Sequence, residues 1–267
     1  MGTKKYKFYL VALLISITAL SCTKVIDLKL GNVAGQLVIE ANVTNANGRQ
    51  FIQLSKNVPF TNTNTYPPVT GATVSVTDNQ GNTYPFTEGP AGSYYSTAFA
   101  GVAGNTYTMT ATTNGTTYTA SSVMPALVPL DSLTFKKNAF KSTNNLREIT
   151  VHYQDPPGIA NQYRFILSVN SVQVKDIFVL NDAFSDGRYV DFDLVENDTD
   201  IHPGDTATVE MQCIDKAVYT YWFTLMQQQF NSPGGEVAPS NPPTNITPVC
   251  LGYFSTHTTQ RETIIVR

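Results

Sequence analysis

Thr73-Val74-Ser75-Val76-Thr77-Asp78-Asn79-Gln80-Gly81-Asn82-Thr83-Tyr84-Pro85-Phe86 is the stretch whose reading decides the fold class. Before Asp78, small and β-branched side chains alternate with polar ones, the period of a half-buried strand, and Tyr84-Pro85-Phe86 starts another. Between them Asn79 and Gly81 supply the positive φ that a tight hairpin needs. Working outward, Gln36-Leu37-Val38-Ile39-Glu40, Phe51-Ile52-Gln53-Leu54, Tyr94-Tyr95, Tyr107-Thr108-Met109-Thr110 and Tyr118-Thr119-Ala120 repeat the signature, with further turn signals at Asn47-Gly48 and Asn114-Gly115. Seven short strands at this spacing predict an immunoglobulin-like or transthyretin-like sandwich over residues 36–124.

Pro125-Ala126-Leu127-Val128-Pro129 follows, a stiff extended break because each proline fixes φ and biases its predecessor away from helix. A linker is placed at 125–130 and a second β domain over 131–267. Its strands are expected at Leu133–Phe135, Glu148–Tyr153, Tyr163–Val169, Val172–Phe178, Tyr189–Leu194 and Thr206–Cys213. One helix stands out over 216–230, with Asp215 as N-cap and Tyr219, Phe223, Met226 and Phe230 at heptad-like spacing. Asn231-Ser232-Pro233-Gly234-Gly235 stops it, a loop rich in Pro and Asn runs to Pro248, and two closing strands are expected at Cys250–Ser255 and Thr263–Val266. The fold class is mainly β: two β-sandwich domains, the second with one helix near the C-terminus.

The N-terminal residues fall into a basic stretch with Lys4, Lys5 and Lys7, an apolar run from Phe8 to Leu20, and Ser21-Cys22. That is the layout of a secretion signal over 1–21, and the run is shorter than the roughly 20 apolar residues a spanning helix needs. Ala19-Leu20-Ser21-Cys22 is similar to a bacterial lipobox, which makes Cys22 the expected lipidation site and 22–35 a lipid-anchored tether. Three acyl chains hold a protein at a membrane where one is marginal. The 17 Lys and Arg fall short of the 20 Asp and Glu, and losing three lysines with the signal moves the net charge from −3 to about −6. No basic stripe remains, which weighs against nucleic acid and against electrostatic docking to anionic lipid, so no nucleic-acid partner is expected.

The constellations that carry catalysis are missing. No Gly-x-Ser-x-Gly elbow, Cys-x-x-Cys, His-Glu-x-x-His or phosphate-cradling glycine loop occurs, and His152, His202 and His257 are far apart in the chain. The expectation is therefore a non-enzyme with no cofactor. The acidic run Asp182, Asp186, Asp191, Asp193, Glu196, Asp198 and Asp200 is weighed as a Ca²⁺ site, but its spacing does not fit an EF-hand, and Asp191 and Asp193 around Phe192 read more simply as the solvent face of a strand. Tyr94, Tyr95, Tyr219, Tyr221 and Trp222 are the aromatics to weigh as a glycan platform against ordinary core packing. With Cys22 lipidated, Cys213 and Cys250 are either a disulfide or two buried thiols. Tyr219, Trp222 and Phe223, with Asn241, Pro242 and Pro243 of the following loop, are the expected partner contact, the loop otherwise serving as cover for an apolar helix.

Val25-Ile26-Asp27-Leu28, Leu37-Val38-Ile39-Glu40, Gly71-Ala72-Thr73-Val74, Tyr118-Thr119-Ala120-Ser121-Ser122, Asp155-Pro156-Pro157-Gly158, Cys213-Ile214-Asp215-Lys216 and Asn241-Pro242-Pro243-Thr244-Asn245-Ile246 before Leu251-Gly252-Tyr253-Phe254 resemble, in order, the domain-of-unknown-function family 4249. The resemblance implies exported lipoproteins of Gram-negative bacteria whose genes often neighbour TonB-dependent receptors. It implies no catalytic residues, because no activity is established for the family. Asp131-Ser132-Leu133 and Asp205-Thr206-Ala207 are similar to the acceptor triplet for O-glycosylation in those bacteria, which marks Ser132 and Thr206. The expected role is an accessory binding or scaffolding subunit for a TonB-dependent receptor, lipid-anchored at the outer membrane and more on its periplasmic face, since Thr23-Lys24 lacks an acidic surface-export run. The competing roles are a lipid-anchored hydrolase on glycans or peptides and a structural surface protein or adhesin.

Overall fold

The structure, a computed structural model, describes residues 34–59, 62, 65–138, 145–229 and 240–267. The signal, Cys22 and nearly all of the tether lie outside the described residues, as does Phe230. The first seven strands are β1 (Leu37–Thr44), β2 (Gly48–Lys56), β3 (Thr73–Asp78), β4 (Thr83–Glu88), β5 (Ser93–Phe99), β6 (Thr106–Thr113) and β7 (Thr116–Val123). The rest are β8 (Ser132–Lys137), β9 (Arg147–Gln154), β10 (Gln162–Val169), β11 (Val172–Gln173), β12 (Phe178–Asn181), β13 (Tyr189–Leu194), β14 (Thr206–Cys213) and β15 (Leu251–Ile265), with helix α1 (Lys216–Gln229) between the last two. The chain is mainly β with one helix near its C-terminus among the described residues.

Alternation builds the first core. Ile39, Ala41 and Val43 of β1 turn inward, as do Ile52 and Leu54 of β2, while Glu40 and Asn42 do not. These residues pack with Val76, Tyr94, Met109 and Phe254. The hairpin between β3 and β4 closes on Asp78, whose carboxylate accepts from Gln80 N, Asn82 N, Asn82 Nδ2 and Tyr84 Oη, while Gly81 takes φ +88°. The strands follow the order β15-β1-β2-β5-β4-β3-β6-β7, and the sheet curls until Thr256 N of β15 donates to Ser122 Oγ of β7 at 3.0 Å.

The second core lies between β11-β10-β14-β15, with β12 on β10, and the three-stranded sheet β13-β9-β8. Val151 and Tyr153 of β9, Phe165 and Leu167 of β10, Leu194 of β13 and Val209 and Met211 of β14 fill it. The proline linker is packed here: Val128 and Leu130 are buried, Val128 N donates to Cys213 Sγ at 3.4 Å, and Val128 O accepts from Gln260 Nε2 at 2.6 Å.

The closing strands differ from expectation. Leu251 to Ile265 is one strand, pairing in parallel with β1 from Leu251 to His257 and antiparallel with β14 from Thr258 to Ile265. Thr256-His257-Thr258-Thr259 reads as a break because it is polar, yet Thr256, His257 and Thr258 are buried where the strand passes from one sheet to the other. One short-range bond and one long-range bond offset part of the cost of that burial: Ser255 Oγ with His257 Nδ1 at 3.0 Å, and Asn45 Oδ1 accepting from Thr259 N at 2.8 Å. Residues 251–257, expected in the second domain, thus complete the sheet of the first. The strands approach closely at Gly252, φ +97°, where a Cβ would stand 1.9 Å from Ile39 O. The strand expected over Val172–Phe178 is split instead, Val172 and Gln173 ending one hairpin and Phe178 opening β12.

Candidate functional site

Asp215 sets the helix, its Oδ1 accepting from Val218 N at 2.9 Å and its Oδ2 from Ser122 Oγ of β7. At the other end Gln229 copies a backbone partner, accepting from Ile177 N at 2.8 Å and donating to Ile177 O at 3.1 Å. Between these pins the apolar stripe divides. Trp222 turns one way, under the Arg164 guanidinium at 3.6 Å from the ring centroid and edge-on to Tyr253 at 5.3 Å. Tyr219, Phe223 and Met226 turn the other way and, with Phe178, Leu180 and Phe192, line a cleft of about 510 Å³. Asn181 Nδ2 donates to Tyr219 Oη at 3.1 Å on its wall, and Phe184, 93% exposed, stands on its rim. The volume is that of a pocket for a drug-sized or single-side-chain guest, with polar groups few enough to orient it.

The structure separates the residues expected to meet a partner. Tyr219 and Phe223 share the cleft, Trp222 packs inward, and Asn241, Pro242 and Pro243 line a different depression with Gln36 and Leu251. Among its described residues, the Pro/Asn segment bonds the helix at Ser240, whose carbonyl accepts from Gln228 Nε2 at 2.8 Å, and from Asn245 onward packs on the first module. Ile246 is buried in the first core, Asn245 bonds Phe254 N and O at 3.0 and 2.7 Å, and Thr247 pairs with Thr119. Cys213 and Cys250 are free thiols, because Cys213 belongs to the second core and Cys250 packs against the first. Burial pushes the Cys250 thiol up to about 11. Tyr94 is a core residue whose hydroxyl donates to Val69 O, and Tyr95 lies against Phe51 and Arg49, so the two adjacent tyrosines form no platform together. Ser132 is exposed at the start of β8; Thr206, half-buried, starts β14, where Asp205 is engaged by His202 N and Asn170 Nδ2.

Besides His202 and Asp205, a histidine and an acid meet, together with a hydroxyl, in an arrangement that sequence reasoning missed. On the outer face of β8-β9-β13, Thr134 Oγ1 is 2.6 Å from His152 Nε2, and His152 Nδ1 is 2.5 Å from Asp191 Oδ1. The cross-strand pair Asp191 and His152 could have been found only from the register of β9 on β13. The order hydroxyl, imidazole, carboxylate is that of a nucleophilic relay. It lies on an open sheet face with Asp191 66% exposed, beside Lys136 paired with Asp193 and Glu148. Desolvation raises the Glu148 carboxyl, with Asp193 raising it further and Lys136 opposing. The acidic run itself is dispersed: Asp191 and Asp193 are on β13, Glu196 is buried, and only Asp182 and Asp186 converge, with Asp155.

Comparison with known proteins adds little about chemistry. No curated protein matches the chain. Over 67% of its length the chain is similar to 90% of a two fibronectin type-III domain segment of chicken tenascin, at 14% identity and a TM-score of 0.22. Over 67% it is similar to 55% of the Yersinia pseudotuberculosis adhesin InvE, at 18% identity and a TM-score of 0.21. At these scores neither likeness bears on function. A family model described as Domain of unknown function (DUF4249) matches residues 23–263, nearly the whole chain, and the protein belongs to that family.

Proposed function

We propose that the protein is a lipid-anchored, non-catalytic binding subunit that serves a TonB-dependent receptor at the outer membrane, on its periplasmic face. The observation that carries this reading is the apolar cleft between α1 and β12, whose aromatic wall is left open beside a helix pinned at both ends. Such a cleft takes an apolar or aromatic segment of a protein partner, and the lipobox-like site at Cys22 supplies the anchor. The test is co-purification of the lipidated protein from native membranes, comparing wild type with Tyr219→Ala/Phe223→Ala. The double variant is expected to fold and to lose the receptor; retention of the receptor overturns the reading. Mass spectrometry is expected to show a triacylated Cys22, lost in Cys22→Ala, and a surface location without a co-purifying receptor would favour the adhesin reading.

A second reading, hydrolysis, rests on Thr134, His152 and Asp191. It requires that a fluorophosphonate probe label the wild-type protein and not Thr134→Ala; absence of labelling leaves the relay as a cross-strand polar ladder.

A further inference from the structure

The two sheets of the second sandwich do not end level. Phe165 of β10 meets Phe192 of β13 with ring centroids 5.6 Å apart, so β13 lies over β10. The larger sheet runs on from β10 to β12, while the smaller stops at β13. Phe178 and Leu180 of β12 and Phe192 and Asp193 of β13 all line the cleft of about 510 Å³, which opens along the flank where these two strands end their sheets. It has the form of a sandwich that lacks one strand.

The main chain of β13 is open on that flank. Asp155 N donates to Arg188 O across from β9, and the two-residue alternation of a strand then turns the amides of Val190, Phe192 and Leu194 to β9 and those of Tyr189, Asp191 and Asp193 away from it. Among the described residues no hydrogen bond meets the N–H and C=O groups of these last three. The edge of β12 is guarded instead. Ile214 N donates to Gln162 O, so Tyr163 and Phe165 are the β10 residues that bond β12, through Leu180 and Phe178. The outward-turned Ile177 then has both its N–H and its C=O taken by the Gln229 amide. A helix side chain thus stands in for a strand on β12, and no described residue does so on β13. A six-residue edge with its amides open is a template for another strand.

Charge selects which strand. Asp191 and Asp193 stand on the outer face of β13, and Asp191 is 66% exposed. A second copy of β13 paired antiparallel would set these carboxylates beside one another, like charges on adjacent strands. A segment that alternates apolar residues with Lys or Arg does the reverse. Its cations lie beside Asp191 on one face, and its apolar side chains enter the cleft on the other. We propose, on the reading of the cleft as the partner surface, that a partner protein adds such an extended segment, about five or six residues long, to β13 as the fourth strand of its sheet. Main-chain bonds to Tyr189, Asp191 and Asp193 hold it, and the cleft selects its apolar side chains.

The experiment uses the full chain and a fluorescent six-residue peptide that alternates phenylalanine with lysine, titrated by anisotropy to millimolar concentration. Two further peptides carry N-methyl groups, one on the lysine amides and one on the phenylalanine amides. An added strand turns only one of these rows to β13, so one methylated peptide is expected to bind about tenfold or more weaker than the parent while the other keeps most of its affinity. Asp191→Asn removes the charge and keeps the N–H, for a severalfold loss that salt diminishes. Asp191→Pro also removes the outward N–H, at an edge position where proline is tolerated, and is expected to bind about tenfold weaker than Asp191→Asn at a similar melting midpoint. No saturable binding of the parent peptide overturns the proposal. Equal affinity of the two methylated peptides, or of the two Asp191 variants, overturns the added strand; if Tyr219→Ala/Phe223→Ala still loses the receptor, the cleft reading stands without it. A dimer of the protein alone, dispersed by Asp191→Pro, overturns the foreign segment in favour of a second copy.

Discussion

Lowering the pH should unfold this protein through His257. The imidazole is 3% exposed at the crossing of β15 between the two sheets, with Ser255 Oγ on Nδ1. Burial pushes its pKa from 6.5 down to about 4, Glu210 opposing and Arg164 assisting. The unfolded chain takes up a proton near pH 6.5, which the folded chain refuses until about pH 4. The stability His257 contributes is therefore complete above pH 6.5, falls as pH drops, and is exhausted near pH 4. A gap of about 2.5 units at 1.36 kcal/mol each amounts to about 3 kcal/mol, a large share of the usual 5–15. The raised Glu148 carboxyl acts in the opposite sense, so the readout is a difference between proteins. Urea unfolding of wild type and His257→Gln at steps from pH 7.5 to 4 is expected to show the wild type losing about 3 kcal/mol relative to the variant, at no more than about 1.4 kcal/mol per pH unit. Parallel pH profiles would refute the buried neutral imidazole.

Gly252→Ala should cost about 2–5 kcal/mol, from a left-handed backbone and a Cβ pressed on Ile39 O; Gly104→Ala, with φ +85° and open space around it, should cost only the conformational part, about 1–2 kcal/mol. Equal denaturation midpoints for the two variants would remove the close approach of β15 to β1. Asp78→Ala should cost at least about 2 kcal/mol by the same assay, because it leaves two turn N–H groups and the Tyr84 hydroxyl without their acceptor, and a cost under about 0.5 would show the turn holding itself.

What sequence made legible was whatever depends on neighbours along the chain. The hairpin at Asp78 to Gly81 follows from its own residues, and Asp215 caps the helix it was expected to cap. Two-residue periodicity located most strands of both cores for the same reason. The errors arise where partners are distant. Thr256 to Thr259 are polar and read as a gap, but their burial is bonded by Ser122 and Asn45, more than a hundred residues away. Asn241 to Ile246 looked like cover for the adjacent helix, and Asn245 instead grips Phe254 in the other module. Asp155 belongs with Asp182 and Asp186, and His152 with Thr134 and Asp191, only because loops and strands meet in space; no spacing rule reports that.

A strand shared by two cores also orders the events of synthesis. Until Leu251 to His257 have been made, β1 has no partner on its β15 side, and the sheet of the first module ends in an open row of amides. The module encoded first therefore stays open until almost the whole chain has been made. Its completion needs contacts between segments more than two hundred residues apart, the kind that slows folding most and leaves half-built intermediates open to pairing with the wrong edge. A chain truncated before residue 251 should leave both cores unsealed, the first lacking Phe254 and the second Val266.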